Sequence, residues 1–153
     1  KIERKKRKQE IRRFFLNLAE LQNVCSRLFK ISPDETLRIV QELYEKKLVT
    51  YPRTDARVLS TAVAKEIYKN ISGLRRYPQI DGAADEVLEM GTYKNIAKTR
   101  YVNDKQITDH YAIIPTGQGL SALNGISLTA QRCMRRLCGG FYAFFILLQF
   151  IRR

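Results

Sequence analysis

A tyrosine, a proline and an arginine stand side by side as Tyr51, Pro52 and Arg53, directly after a short apolar run. A phenol has a reference pKa of about 10, so at neutral pH it needs a base or a positive field before it can attack phosphorus. Proline fixes its own φ and biases the preceding residue toward extended backbone, which holds Tyr51 and Arg53 at a constant offset. A guanidinium keeps its charge and offers a planar set of donors to phosphate oxygens. The triplet therefore has the residue types that phosphoryl transfer requires, a phenol at Tyr51 that can act as nucleophile and a neighbouring cation at Arg53.

His110 is the only histidine of the chain and lies in ITDHYAIIPTG, residues 107–117. An imidazole can donate a hydrogen bond to a phosphate oxygen, so a histidine folded against Tyr51 would help to hold the group under attack. Each pattern alone has a plainer interpretation. A Tyr-x-Arg triplet is common at strand-to-turn junctions, and a single histidine in a polar loop is usually a surface residue.

Together, the two segments resemble the signatures of a known family. LVTYPRTD, residues 48–55, resembles the active-site motif of type IA DNA topoisomerases, and residues 107–117 resemble the histidine-bearing loop and short strand of the second signature. Residues 18–47 are similar to the helix pair that precedes the nucleophile in bacterial topoisomerase III. The resemblance covers residues 16–132. It implies that Tyr51 attacks a DNA phosphodiester and becomes linked to the 5′-phosphate.

The same resemblance implies roles for further residues. Arg53 and His110 are expected to hold and neutralise the phosphate. Four more residues are expected to make indirect or backbone contacts with single-stranded DNA: Thr54, Asp55, Arg57 and Thr116.

Enzymes of this family bind Mg²⁺ through a separate domain that contributes a glutamate and an Asp-x-Asp pair. No Asp-x-Asp occurs in the 153 residues, so we expect no metal site in this chain and Mg²⁺ only in a longer enzyme. The sequence also contains no counterpart of the arch that closes the enzyme around DNA. We therefore expect the magnesium-binding and arch domains of a parent chain as partners, and no relaxation of supercoils by this chain alone.

The composition suits one compact domain. With 153 residues, 44% of them hydrophobic, the chain can bury a core. It has neither an apolar run of membrane-spanning length nor a signal-peptide pattern, which predicts a cytoplasmic protein without membrane contact. The resemblance adds a bacterial, nucleoid-associated location. The three cysteines, Cys25, Cys133 and Cys138, lack the spacing of a metal site and are expected to be reduced thiols.

The net charge of +13 is concentrated at the two ends. Residues 1–13 carry +6 and residues 131–153 carry +5, which leaves +2 for everything between them. DNA contact in the family-like segment must therefore depend on a few placed cations rather than on a broad positive field. We divide the chain into a basic arm at 1–15, an active-site tyrosine domain at 16–132 and an atypical tail at 133–153.

The tail departs from the family pattern in a way that a shifted reading frame explains. CMRRLCGGF can be encoded by TGT ATG AGG CGG TTG TGC GGA GGT TT, and the same bases after a leading G encode VYEAVVRRF, which resembles the family sequence. ILLQFI converts in the same manner to YPPAVYQ. We interpret residues 133–153 as a frameshifted reading of the family's next helix and loop. A one-base shift of possible codons for residues 10–14 of the arm likewise gives the Asp-Pro-Pro of the family, but codon degeneracy makes this match easier to obtain by chance. The plainer interpretation is a basic arm and an apolar closing helix.

Caps and hydrophobic periods predict a mainly α fold with a small β component. The predicted elements are helices at 18–30, 33–46, 61–72, 83–90 and 141–150, strands at 48–51 and 111–115, and a polar connector at 92–106 with weak strand character near 99–102. Leu28 and Tyr44 are expected to face the core. This order resembles the helical, CAP or winged-helix-like domain that bears the nucleophile in the family.

Two other functions fit the sequence less specifically. One is a non-catalytic DNA-binding module in which helix 61–72 or 34–46 docks on duplex DNA. The other is a helical interaction domain. A phosphotyrosyl adduct that is lost in Tyr51→Phe would separate the catalytic function from both. Steep salt dependence of binding without an adduct would favour the DNA-binding module.

Overall fold

The structure is a computed structural model and describes residues 15–77 and 82–151. All of the predicted basic arm except Phe15, and the residues 78–81 of a predicted turn, lie outside these ranges. The described ranges contain these α-helices: α1 (Leu18–Phe29), α2 (Pro33–Glu45), α3 (Thr61–Lys65), α4 (Ile67–Gly73), α5 (Ala83–Met90) and α6 (Leu128–Ile151). Short 3-10 helices connect them at Leu74–Arg76, Thr92–Lys98, Asp104–Gln106 and Leu120–Gly125.

Local capping explains the first two helices. The Asn17 side chain accepts a hydrogen bond from the Glu20 N–H at 2.9 Å and opens α1. The Ser32 hydroxyl accepts from the Glu35 N–H at 3.1 Å and opens α2, with Pro33 in the first turn. Both helices end within a residue of their predicted ends. They pack against each other and lead into the segment that bears Tyr51.

The predicted strands do not form ladders in the described part of the chain. Residues 48–51 and 111–115 meet at one isolated antiparallel bridge, Val49 with Pro115. Two further isolated bridges join other segments: Leu16 with Ile113, which is antiparallel, and Leu59 with Val102, which is parallel. The pairing stops at Thr50, because the Ile114 N–H donates to the Thr50 hydroxyl instead of the Thr50 carbonyl and Pro52 has no N–H to donate to the Ala112 carbonyl.

The predicted helix at 61–72 is broken into α3 and α4. Glu66 leaves the helical region with φ −111° and ψ 13°, and its N–H donates to the Val63 carbonyl in a tighter turn. Ala64 before the break and Ile67 after it are both buried. The predicted polar connector at 92–106 is not a plain loop, because 3-10 turns occupy most of it.

Two side chains expected in the core are exposed. Leu28 is 50% exposed, whereas Phe29 in the same turn is partly buried against the core, and Val24 is buried. Tyr44 is 38% exposed and packs near Tyr51 rather than against the core.

The tail forms a longer helix than the sequence predicts. The predicted helix at 141–150 is the C-terminal part of α6, which begins at Leu128, before the start of the tail. Phe144 is fully buried, with its ring centroid 4.3 Å from that of Phe15 and 5.2 Å from that of Tyr101. The helix packs on α2, on α5 and on the 3-10 helix at Thr92–Lys98. The mainly α class with a small β component is confirmed, while the winged-helix-like description and the frameshift stay predictions.

Candidate active site

Thr50 fixes the backbone that leads into Tyr51. Its N–H donates to the Ile114 carbonyl at 3.0 Å. Its hydroxyl donates to the Ala112 carbonyl at 3.0 Å and accepts from the Ile114 N–H at 3.0 Å. Because the two segments run in opposite directions, the residue that follows Thr50 lies beside the residues that precede Ala112. This pairing brings Tyr51 to His110.

A tight turn after Tyr51 puts Arg53 at its tip. The Thr54 N–H donates to the Pro52 carbonyl at 2.9 Å and closes a three-residue turn. The Thr54 side chain is buried, and its hydroxyl donates to the His110 carbonyl at 3.2 Å. Thr54 therefore fastens the tyrosine segment to the histidine segment from the inside.

Exposure alternates along the residues after Tyr51. The outward side chains are those of Arg53, Asp55 and Arg57, and the buried ones are those of Pro52, Thr54, Ala56 and Val58. Side chains of an extended segment point alternately to its two faces. The three charged residues therefore share the exposed face of this segment with Tyr51, which is half-buried.

The Tyr51 ring is held between two other rings. Its centroid lies 4.2 Å from that of His110, with the planes tilted by 31°. Tyr44 meets it edge-on from α2, with centroids 5.2 Å apart and planes at 85°. Aromatic contacts of this kind restrict the side-chain torsions of the residue between them. The phenol is thus oriented before any substrate arrives.

The loop after the histidine segment is fastened at two points. The Asn70 side chain donates to the Pro115 carbonyl at 2.9 Å. The Thr116 N–H donates to the Leu48 carbonyl at 3.0 Å, and the Thr116 hydroxyl donates to the Lys47 carbonyl. The loop carrying Pro115 and Thr116 therefore stays in place against both α4 and the tyrosine segment.

A glycine pair makes the approach of this loop to α4 possible. A Cβ on Gly73 would lie 2.5 Å from the Gly117 carbonyl oxygen and 2.8 Å from the Gly117 Cα. Gly117 also has φ +82°, a conformation that residues with a Cβ rarely adopt. Neither position can carry a side chain without moving the backbone.

A groove of about 540 Å³ runs past the Tyr51 ring. Its lining residues are Tyr44, Glu45, Lys47, Val49, Thr50, Tyr51, His110, Tyr111, Thr116 and Gln118. The groove therefore combines a phenol, an imidazole and the Lys47 ammonium. Burial raises the pKa of the Tyr111 phenol above its ordinary value, which disfavours its phenolate form.

The structure brings some of the predicted site residues together and leaves others apart. Tyr51, His110 and Thr116 line one groove. Arg53 is exposed beside the groove but is not part of its lining, and no ion-pair partner for it occurs among residues 15–77 and 82–151.

The other residues predicted to contact DNA differ in whether their side chains already have partners within the protein. The Thr54 hydroxyl is used inside the protein, so it positions its neighbours. Asp55 is exposed, and its carbonyl accepts from the Asn17 side chain at 3.1 Å. Arg57 is exposed but pairs with Glu20 at 3.0 Å. A contact of these three residues with DNA stays a prediction.

Three residues of the site were missed from the sequence. Tyr44 was placed on the buried face of its helix, although its position one turn before the tyrosine segment also lets it reach Tyr51. Thr50 stands inside the motif, and β-branched residues favour extended backbone, but its three hydrogen bonds depend on residues far along the chain. Lys47 has φ +68°, and no sequence signal marks that conformation.

Two features are absent from the part of the chain that the structure describes. The ranges 15–77 and 82–151 hold no group of three or more His, Cys, Asp or Glu side chains that could bind a metal ion. Over the same ranges, none of the helices has the length and apolar content needed to cross a membrane.

Comparison with known proteins gives consistent matches. A family model described as DNA topoisomerase matches residues 1–133, which include the basic arm. The chain is 40% identical to DNA topoisomerase 3 of Bacillus licheniformis over 112 residues, which are 72% of this chain and 15% of the relative. It is 39% identical to DNA topoisomerase 3 of Bacillus subtilis over 105 residues, 68% of this chain and 14% of the relative. It is 37% identical to the Staphylococcus saprophyticus protein of the same name over 101 residues, 65% of this chain and 14% of the relative. The chain therefore spans about 15% of the length of the curated relatives it matches.

Proposed function

Because the chain belongs to the type IA DNA topoisomerases, in the group similar to DNA topoisomerase 3, we propose that Tyr51 is the nucleophile that cleaves a DNA strand. The observation that carries the proposal is the 4.2 Å contact between the Tyr51 and His110 rings. It joins the two signature segments in one groove, so that a nucleophile, a hydrogen-bond donor and a cation, Lys47, face the same space.

In the proposed step, the Tyr51 Oη attacks the phosphorus of a phosphodiester in single-stranded DNA. A bond forms between Oη and phosphorus, and the bond from phosphorus to the 3′ oxygen breaks. The phenolic proton leaves to solvent, and the 3′ oxygen takes up a proton. The products are a 5′-phosphate on Tyr51 and a free 3′ hydroxyl, and the reverse reaction reseals the strand. Arg53 and His110 neutralise the charge that develops on the phosphate oxygens.

The neighbouring residues are assigned supporting roles in this proposal. Thr54 and Thr116 position the two signature segments through their internal hydrogen bonds. Arg57 contacts the DNA backbone next to the cleaved phosphate, because it shares the exposed face with Arg53, whereas Asp55 on the same face acts indirectly, since its carboxylate would repel a phosphate. Removal of either threonine would then act through the orientation of Tyr51 or His110.

We propose that strand passage needs magnesium-binding and arch domains belonging to a longer chain. The described residues do not form a site that fits Mg²⁺, so no step here is assigned to it. We also propose the bacterial cytoplasm, at the nucleoid, as the place of action. The 153 residues alone should not relax a negatively supercoiled plasmid, and magnesium-dependent relaxation by this chain would contradict that expectation.

The chemistry is testable in a full-length type IA enzyme that carries residues 16–132 in place of its own matching segment. After cleavage is stopped by denaturing the protein, a label at the 3′ end of single-stranded DNA should remain covalently attached to the protein. A label at the 5′ end should be found on a free DNA fragment. Tyr51→Phe should abolish the adduct. Tyr44→Phe is the matched control and should retain it, because it keeps the ring that contacts Tyr51. Salt-sensitive binding without an adduct would support a non-catalytic DNA-binding module instead.

A further inference from the structure

A second groove, of about 510 Å³, lies between the last turn of α1 and the middle of α6. Its lining residues are Phe29, Arg132, Arg135, Arg136, Gly139 and Gly140. We call it the arginine groove. It shares no lining residue with the groove at Tyr51, so whatever binds there does so independently of the proposed cleavage.

Helical spacing accounts for the arrangement of the cations. Arg132, Arg135, Arg136 and Gly139 follow the i, i+3, i+4, i+7 pattern and share one face of α6. The opposite face is buried in the core, with residues such as Met134 and Leu137. Gly139 leaves the floor of the groove open, since a Cβ there would meet no atom within 4 Å.

The positive charge in this groove is not balanced by acids. No acidic residue lines it, and the ion pairs among the described residues involve none of its arginines. Burial and the neighbouring Arg27 charge lower the pKa of Arg136, as expected for a cation that lacks a counter-charge. An anion in the groove would supply the counter-charge that Arg136 lacks.

An aromatic ring lies beside these cations. Phe29 is partly buried against the core and forms one wall of the groove. Aromatic rings next to a row of arginines are how proteins bind single strands without sequence preference, because each base stacks while its phosphate meets a cation. A paired base in a duplex cannot present its face in this way. A membrane surface fits less well, because the apolar face of α6 is already buried and cannot insert.

We propose that the arginine groove binds single-stranded DNA, with Phe29 stacking on one base and the α6 arginines contacting the adjacent phosphates. The groove gives the chain a second contact with a single strand, apart from the one at Tyr51. It is a property of the tail as this chain reads it, because the shifted string VYEAVVRRF would put glutamate and alanine at positions 135 and 136.

The test uses the 153-residue chain, a fluorescent oligothymidylate of about 16 nucleotides and a duplex of equal length, with affinity measured over a salt series. Arg135→Gln with Arg136→Gln should make the slope of log K against log salt shallower by about 1.4, because each phosphate contact with a single strand contributes roughly 0.7. The control pair Lys65→Gln with Lys98→Gln removes the same charge from other exposed positions and should leave the slope unchanged. Thermal melting checks that each variant is folded.

Two further variants test the stacking and the shape of the groove. Phe29→Leu should weaken single-strand binding about tenfold and leave duplex binding unchanged. Gly139→Leu should fill the groove and weaken binding to a similar extent, without removing any charge. Equal losses in the arginine and lysine pairs would overturn the proposal in favour of a diffuse field that includes the basic arm. An unchanged affinity in Phe29→Leu, or arginine dependence confined to phosphatidylserine vesicles, would overturn it as well.

Discussion

The Tyr51 ring contacts the His110 ring with the centroids 4.2 Å apart and the planes tilted by 31°, although the two residues belong to segments far apart in the sequence. The contact means that His110 can act in two ways. It can restrict the torsions of the phenol, and its ring nitrogens can donate to a phosphate oxygen.

Two substitutions at His110 separate these effects. His110→Phe keeps a ring against Tyr51 but removes the donor, whereas His110→Gln keeps a donor but removes the ring. Loss of one donor to a developing oxyanion costs about 10²- to 10³-fold in rate. We expect His110→Phe to slow adduct formation by that amount, with His110→Gln faster than His110→Phe. Single-turnover cleavage of labelled DNA by the chimeric enzyme measures both. The reverse order would show that His110 acts through packing.

The close contact between Gly73 and Gly117 predicts that alanine at Gly73 lowers the unfolding free energy, whereas alanine at Gly139 does not. Gly73→Ala puts a Cβ at 2.5 Å from the Gly117 carbonyl oxygen, so the loop or α4 must move, and we expect a loss of at least about 2 kcal/mol in unfolding free energy. Gly139→Ala is the matched control. It lies inside α6 with no atom within 4 Å of the new Cβ, and it should gain about 0.5–1 kcal/mol. Urea unfolding of both variants measures the difference, and equal effects would contradict the close approach.

The raised pKa of Tyr77 predicts that the protein loses stability at alkaline pH. Burial raises its pKa from 10.0 to about 12, and the side chain is 2% exposed. The unfolded chain loses the phenolic proton first, so this contribution to stability is complete below pH 10 and is lost as the pH rises from 10 to 12. The two-unit difference corresponds to about 2–3 kcal/mol.

Tyr77→Phe should therefore flatten the fall in stability between pH 10 and 12 without changing stability at neutral pH. Burial also raises the pKa of Cys138 and Tyr142, so part of the fall should remain. Thermal melting of both proteins over this range is the measurement. An identical pH dependence in the two proteins would show that Tyr77 ionises freely in the fold.

The hydrogen bond from Thr92 links the 3-10 helix at Thr92–Lys98 to α6, so its removal tests how much this contact stabilises the fold. Its buried hydroxyl donates to the Phe145 carbonyl at 3.1 Å. Thr92→Val keeps the shape and removes the donor, so we expect a loss of about 1 kcal/mol in unfolding free energy. Thr129→Val, half-exposed on α6 itself, is the control and should stay within about 0.5 kcal/mol. Equal effects would mean that the hydrogen bond contributes nothing to docking.

The frameshift interpretation of the tail is a separate prediction, and the nucleotide sequence of the gene tests it. The codons for residues 133–153 should yield a YPPAVY-like string after a one-base shift. Sequencing the gene across Cys133 measures this directly, and the flanking frame would also reveal any magnesium-binding domain upstream. If none of the possible one-base shifts restores that string, the frameshift interpretation is wrong.

How much the sequence predicts depends on how local the cause is. Ser32 and Pro33 act within one turn, so the start of α2 was predicted correctly. The strands were not, because the Thr50 hydroxyl takes up the Ile114 N–H and Pro52 has no N–H, so the two segments meet at a single bridge. The orientation of Tyr44 could not be predicted either. Helical periodicity shows which residues share a face, but it does not show that the Tyr51 ring lies beside Tyr44 in the fold. Tyr51 and His110 were found by motif, whereas Thr50 required the pairing itself.

The pairing of Thr50 with Ala112, 62 residues away, has a consequence for when the site can form. Helices α1 and α2 are neighbours in the sequence and can pair early, but closing a loop of this length is a slow, late event in folding. During synthesis, Tyr51 leaves the ribosome well before the residues that orient it. A nascent chain therefore carries the phenol without its partners, and the orientation that we propose for cleavage forms only when the histidine segment closes over it.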